Sequence, residues 1–105
     1  MAYYKTDRGY HRRSVNSNGG WAATANGSLM NMRLFAYAPE IRSAVLLIHG
    51  ENAHSLMYSQ AAYQLLKGDN KELMIIPGAN HTDLYDKLDV IPFDKLEAFF
   101  SANLK

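Results

Sequence analysis

The strongest pattern along the chain is the unbroken apolar run Ser43-Ala-Val-Leu-Leu-Ile-His49, stopped by Gly50. A run without polar alternation suits a parallel strand covered on both faces better than a half-exposed hairpin strand. A second short run, Glu72-Leu-Met-Ile-Ile76, ends at Pro77-Gly78 and reads as another strand. Between them, Leu56, Ala62, Tyr63, Leu65 and Leu66 fall broadly on one side of a helix reaching about Lys67. Ser55 stands where an N-cap is needed and Gly68 where a helix stops. Strand, helix and strand in that order predict a right-handed parallel crossover. From Pro92 onward, Phe93, Leu96, Phe100 and Leu104 line one face while Asp94, Lys95 and Glu97 line the other, which predicts an amphipathic helix with proline near its first position.

The N-terminal part is different. Residues 1–28 show no helical or strand period, and Asn16-Ser-Asn-Gly-Gly20 is turn chemistry. Trp21 and the nearby tyrosines are costly to leave in water and call for a surface to lie against. Residues 29–38 predict a short helix, ended by the constraint Pro39 places on Ala38. The chain thus divides into an irregular and short-helical segment, 1–38, and a strand–helix–strand–helix segment, 39–105. Fold class is α/β. Two parallel strands form too small a sheet to cover both apolar faces, so the pattern is that of one part of a larger sheet.

Composition narrows the functions available. A chain of 105 residues makes one small domain or a piece of one. Its 48% hydrophobic, 20% charged and 11% aromatic residues exclude wholesale disorder. With no cysteine, disulfides, thiolate zinc sites and cysteine nucleophiles are excluded. The first residues carry no apolar signal region and no run reaches about 18 apolar residues, so a cytoplasmic location without membrane association is expected. The net charge of +1 hides a basic N-terminal part, with six Lys/Arg against two Asp/Glu over 1–42, and an acidic remainder, with five against eight. Tyr3, Tyr4, Lys5, Arg8, Tyr10, His11, Arg12 and Arg13 interleave basic and aromatic residues, but four Lys/Arg are too few to predict a nucleic-acid surface.

Candidate chemistry gathers just past the two strands, the edge where open α/β sheets place binding and catalytic groups. The segments are His49-Gly-Glu-Asn-Ala-His-Ser55 and Pro77-Gly-Ala-Asn-His-Thr-Asp83. If the strands are neighbours, Glu51 and His81 emerge side by side, and a carboxylate–imidazole bond of the kind that orients a serine base becomes possible. His49 at its strand end reads as a packed histidine or a neighbour of an oxyanion site. His54 and Ser55, being consecutive, rarely reach the geometry of base and nucleophile, so capping is the better account of Ser55. His49, His54, His81 and Glu51 match no compact metal motif, and no metal is expected. Met30, Met32, Met57 and Met74 read as core or gap-filling residues.

Taken together, Ala44-Val-Leu-Leu-Ile-His-Gly-Glu51, a helix, Glu72-Leu-Met-Ile-Ile-Pro-Gly-Ala-Asn-His81 and a closing helix resemble the last two strands of the α/β-hydrolase superfamily. The resemblance covers roughly residues 39–105. It is greatest to the dienelactone-hydrolase-like and bacterial peptidase-like esterase branches, where a histidine follows the final strand in a Gly-x-x-His context, here Gly78-Ala-Asn-His81. It implies a partial α/β-hydrolase fold, a small-molecule ester or acyl substrate, no cofactor, and His81 as general base. The superfamily's acid position is occupied by Ala53, so Glu51, two residues away, is the nearest replacement, with Asp83 as the fallback, although Asp83 is placed for an Asx-turn or cap.

The nucleophile is the larger departure. None of Ser14, Ser17, Ser28, Ser43, Ser55, Ser59 and Ser101 lies in Gly-x-Ser-x-Gly, the turn that exposes the hydroxyl and aims backbone N–H groups at the oxyanion. In the superfamily that serine precedes the acid and the histidine. The resemblance therefore implies the C-terminal fragment of a serine-dependent hydrolase, inactive alone and needing its missing N-terminal portion. The alternative is a non-enzymatic module that binds a partner or another copy of itself through exposed apolar faces. In a third possibility, Ser55 or another serine works with His81 in a miniature hydrolase.

Overall fold

The computed structural model describes residues 3–14 and 22–104. The turn cluster 16–20 and Trp21 lie outside the described residues. The chain forms two compact units, Met1–Leu34 and Phe35–Lys105.

In the first unit a 3-10 turn over Tyr3–Lys5 begins the described chain. The Tyr3 and Tyr4 rings meet edge to face at 5.0 Å, and the Arg8 guanidinium lies 5.2 Å from the Tyr3 ring centre. That cation–π distance uses part of the basic and aromatic stripe within the unit itself. Gly9 lies so close to the Tyr3 ring that a Cβ there would collide with it. Helix α1, Ala25–Asn31, starts and stops earlier than the helix predicted over 29–38. Its end is local: Asn31 Nδ2 donates to the Gly27 carbonyl at 2.9 Å, and Met32 turns extended. Pro39, which belongs to the second unit, terminates nothing; it lies inside a 3-10 turn, Ala38–Glu40, where a missing N–H and a fixed φ are tolerated.

The second unit is mixed α/β. Strands β1, Val45–Gly50, and β2, Lys71–Ile76, pair in parallel, from Val45 opposite Lys71 to Gly50 opposite Ile76. Helix α2, Leu56–Leu65, connects them and packs on both. It ends two residues short of the predicted Lys67, because Leu66 turns extended while its N–H still reaches the Ala62 carbonyl at 3.1 Å. Gly68 then takes φ +101°, the left-handed region that favours glycine. A single turn, α3, Asp83–Asp86, was not predicted, and α4, Phe93–Asn103, follows Pro92 as predicted.

Burial shows what such a small sheet can do. Among the described residues the buried apolar side chains are Ala38, Ala53 and Ala79, and no large side chain is fully buried. The β1 residues Val45–His49 are only half-buried, while Met57, Phe93 and Phe100 remain 61%, 52% and 50% exposed. One helix against two strands cannot enclose both faces of their apolar runs. Polar ties supplement the packing. Buried Lys71 donates to the Ser43 carbonyl and, at 2.8 Å, to Asn70 Oδ1, while Asn70 Nδ2 reaches the Arg42 carbonyl at 2.9 Å. These bonds pin the amino ends of both strands, and a Lys95–Glu72 ion pair ties α4 to β2. Among the described residues, no helix is long and apolar enough to cross a membrane.

Candidate functional site

The parallel register places Gly50 and Ile76 as the last pair, so the loops following both strands leave the sheet at one edge. Backbone bonds join them: Glu51 N–H to the Ile76 carbonyl at 2.9 Å and Asn52 N–H to the Ala79 carbonyl at 2.9 Å. Side chains add two more. Gly78 N–H donates to Glu51 Oε2 at 2.8 Å, and Asn52 Nδ2 donates to the Gly78 carbonyl at 3.2 Å. Gly50 permits this approach, since a Cβ there would lie 2.5 Å from the Ala79 carbonyl oxygen. Gly78 takes φ +70°, which a glycine adopts without strain.

On this frame the side chains form a hydrogen-bonded series. Ser59 Oγ lies 2.8 Å from His49 Nδ1; His49 Nε2 lies 3.1 Å from Ser55 Oγ; Ser55 Oγ lies 2.9 Å from His81 Nδ1. His81 Nε2 then lies 3.4 Å from the Tyr85 hydroxyl, a long contact at the exposed end. The His54 ring stacks on His81 with centres 4.7 Å apart and planes tilted by 41°. Burial holds the His49 pKa below its ordinary 6.5, and the nearby His81 and His54 lower it further. A depressed value keeps His49 neutral, so one of its ring nitrogens can accept a hydrogen bond from a neighbour.

Several predicted roles change on this geometry. Ser55 occupies the N-cap position of α2 but makes no capping bond, because its hydroxyl is turned toward the two imidazoles. Glu51 and His81 do emerge on neighbouring loops, but the Glu51 carboxylate accepts from Gly78 N–H, while the ring nitrogens of His81 face Ser55 and Tyr85. Ala53, on the loop between β1 and α2, is buried. Asp83 closes its own loop: Oδ2 accepts from Asn80 N–H at 2.9 Å and from Asn80 Nδ2 at 3.3 Å, and Oδ1 pairs with Lys87 at 2.9 Å. Ser59 and Tyr85 were missed. Tyr85 stands four residues beyond His81, a spacing that one helical turn brings together, whereas Ser59 reaches His49 from α2 across ten positions, and no local spacing marks that pair.

The fold and the site define a mixed α/β segment whose carboxyl edge gathers three imidazoles and two serine hydroxyls. No family model matches the chain. It is 52% identical over 103 residues to "Uncharacterized protein PA2218" of Pseudomonas aeruginosa, an alignment covering 97% of this chain and 28% of that protein. The crystal structure of hypothetical protein PA2218 from Pseudomonas aeruginosa matches with a TM-score of 0.88 at 51% identity, over 98% of this chain and 32% of that one. The chain therefore spans 28% of the length of the curated relative it matches.

Proposed function

We propose that residues 39–105 are the C-terminal part of an α/β-hydrolase acting on an ester or acyl bond, with His81 as general base toward a serine supplied by a segment outside this chain. The observation that carries the reading is the position of His81: on the loop after the second of two parallel strands, with Nδ1 held by Ser55 and the Nε2 side at the exposed end. A serine base needs one ring nitrogen oriented by the protein and the other open to the hydroxyl it deprotonates. The greater length of the Pseudomonas relative supports a domain that includes more sheet than these two strands. Glu51 remains a candidate acid only through movement of its loop, since its carboxylate now holds Gly78 N–H.

The test is a chimera in which this chain replaces the matching segment of the Pseudomonas relative, assayed on p-nitrophenyl acyl esters. Turnover that falls by about 10³-fold or more in His81→Gln supports the reading, the scale set by loss of a triad member. No turnover, or turnover indifferent to the substitution, overturns it. The chain by itself should not react with a fluorophosphonate, whereas labelling at Ser55 would establish the miniature hydrolase instead.

A second reading, a partner-binding or self-associating module, is favoured by the exposure of Phe93 and Phe100 on α4 and of Leu104 just past its end, the last at 73%. A cooperatively folded homodimer of the chain, without esterase activity in the chimera, would select it.

A further inference from the structure

We propose that Ser59, His49 and Ser55 form a relay that fixes His81 as its Nδ1–H tautomer, leaving Nε2 as the free basic nitrogen. The relay does the positioning that a carboxylate does in a Ser–His–Asp triad, and it rests on the reading of His81 as a base. Each neutral imidazole donates from one ring nitrogen and accepts at the other, and a serine hydroxyl has one proton to donate. Because that hydroxyl also has two lone pairs that accept, the three links of 2.8, 3.1 and 2.9 Å have three self-consistent proton arrangements. In the first, His81 Nδ1–H donates to Ser55 Oγ, Ser55 O–H donates to His49 Nε2, and His49 Nδ1–H donates to Ser59 Oγ. In the second, every donor and acceptor is exchanged. In the third, Ser55 Oγ accepts from both His81 Nδ1–H and His49 Nε2–H, Ser59 O–H donates to His49 Nδ1, and the Ser55 proton lies outside the series.

The first and third leave His81 Nε2 basic, but only the first also uses the Ser55 proton within the series and so links His49 and Ser59 to the His81 tautomer. A proton arriving at His81 Nε2 leaves all three links as they were, and the imidazolium keeps donating from Nδ1 to Ser55. In the second, Nε2 already carries the proton, and a further proton at Nδ1 would meet the Ser55 hydroxyl hydrogen and force the whole series to reverse. The far end also favours the first over the second: the Tyr85 phenol, 3.4 Å from Nε2, can donate to that nitrogen when no substrate serine is present. His49 is equipped for its part because it is half-buried and must stay neutral to accept from Ser55. The coupling has a stated reach: Ser55 lies 26 residues from His81 and six from His49, so the link exists only while β1 and β2 hold their register. Ser55, His49 and Ser59 are thus positioning residues, and none of them touches the reacting atoms.

The experiment is long-range nitrogen–proton correlation of the histidine rings in the 105-residue chain labelled with nitrogen-15, at a pH above the ordinary histidine value of 6.5. The wild-type spectrum should show His81 and His49 both protonated at Nδ1. Ser55→Ala should move His81 toward the Nε2–H form that free histidine favours, and Ser55→Thr should restore Nδ1–H. An Nε2–H pattern for either histidine in the wild-type chain, with dispersed amide signals showing that the chain is folded, overturns the proposal, as does an Nδ1–H pattern for His81 unchanged by Ser55→Ala. In the chimera, Ser55→Ala should lower kcat by about 10- to 100-fold, part of what general base catalysis supplies, with KM little changed and Ser55→Thr recovering most of the loss. Failure of the hydrolase reading is distinguishable, because the tautomer is read without substrate and His81→Gln tests turnover separately.

Discussion

Gly50→Ala is the most direct test of the frame that carries the site. The new Cβ would lie 2.5 Å from the Ala79 carbonyl oxygen, 2.9 Å from its carbon and 3.0 Å from the Asn80 carbonyl oxygen. Ordinary contact begins at 3.4 Å, so the two loops must separate by roughly 0.9 Å against backbone that has no rotamer to yield. Overpacking of this kind costs about 1–3 kcal/mol. The Asn52 N–H bond to the same Ala79 carbonyl adds about 1 kcal/mol if it breaks, for a total of about 2–4 kcal/mol. In urea, with a slope near 1–3 kcal/mol/M for a small protein, the unfolding midpoint should fall by about 1 M or more at unchanged slope. The Ser55–His81 link should weaken as well, since His81 follows the displaced Ala79 and Asn80 on the same loop. Gly27→Ala is the control: nothing lies within 4 Å of where its Cβ would stand and it sits inside α1, so alanine there should be neutral or stabilising by up to about 1 kcal/mol. A loss below about 0.5 kcal/mol for Gly50→Ala would show that the loops do not approach as described.

The remaining predictions concern individual side chains. Because the His49 pKa is lower folded than unfolded, the unfolded chain binds more protons between the two values. The stability His49 contributes is therefore complete above 6.5 and is lost as pH falls through that value toward the folded one; His49→Gln should flatten this part of a pH series of urea midpoints, and an unchanged slope would refute the assignment. Glu51→Ala should cost about 1 kcal/mol through loss of the acceptor for Gly78 N–H, with Glu51→Gln costing less. Chimera turnover that Glu51→Gln abolishes would instead mark Glu51 as an acid acting on His81. Asp83→Ala should cost about 1–3 kcal/mol, since a buried carboxylate that serves Asn80 and Lys87 is removed; thermal unfolding of the variant at wild-type temperature would contradict that role.

Much of the frame was legible in the sequence. The runs ending at His49 and Ile76 lack the alternation of a half-exposed strand, and they appear as paired parallel strands, with α2 between them and α4 after Pro92. His81 was identifiable as the histidine on the loop after the second strand. Boundaries set by local competition were less legible: the turn of Asn31 onto Gly27 ends α1 early, and Pro39 is accommodated in a 3-10 turn.

The partners of the polar side chains belonged to the tertiary structure alone. Local chemistry assigns Ser55 to the cap of α2, because a serine before a helix ordinarily accepts from that helix's N–H groups. Pairing β1 with β2 brings His49 and His81 to either side of its hydroxyl, and the two imidazoles take the bond instead. Glu51 is similar: sequence offers His81 as its partner, but the approach of the loops past Gly50 presents Gly78 N–H first. Periodicity, breakers and composition act within a few residues and so determine which elements form. Which oxygen meets which nitrogen across 26 or 27 positions depends on strand register and loop separation, and these exist only in the folded chain.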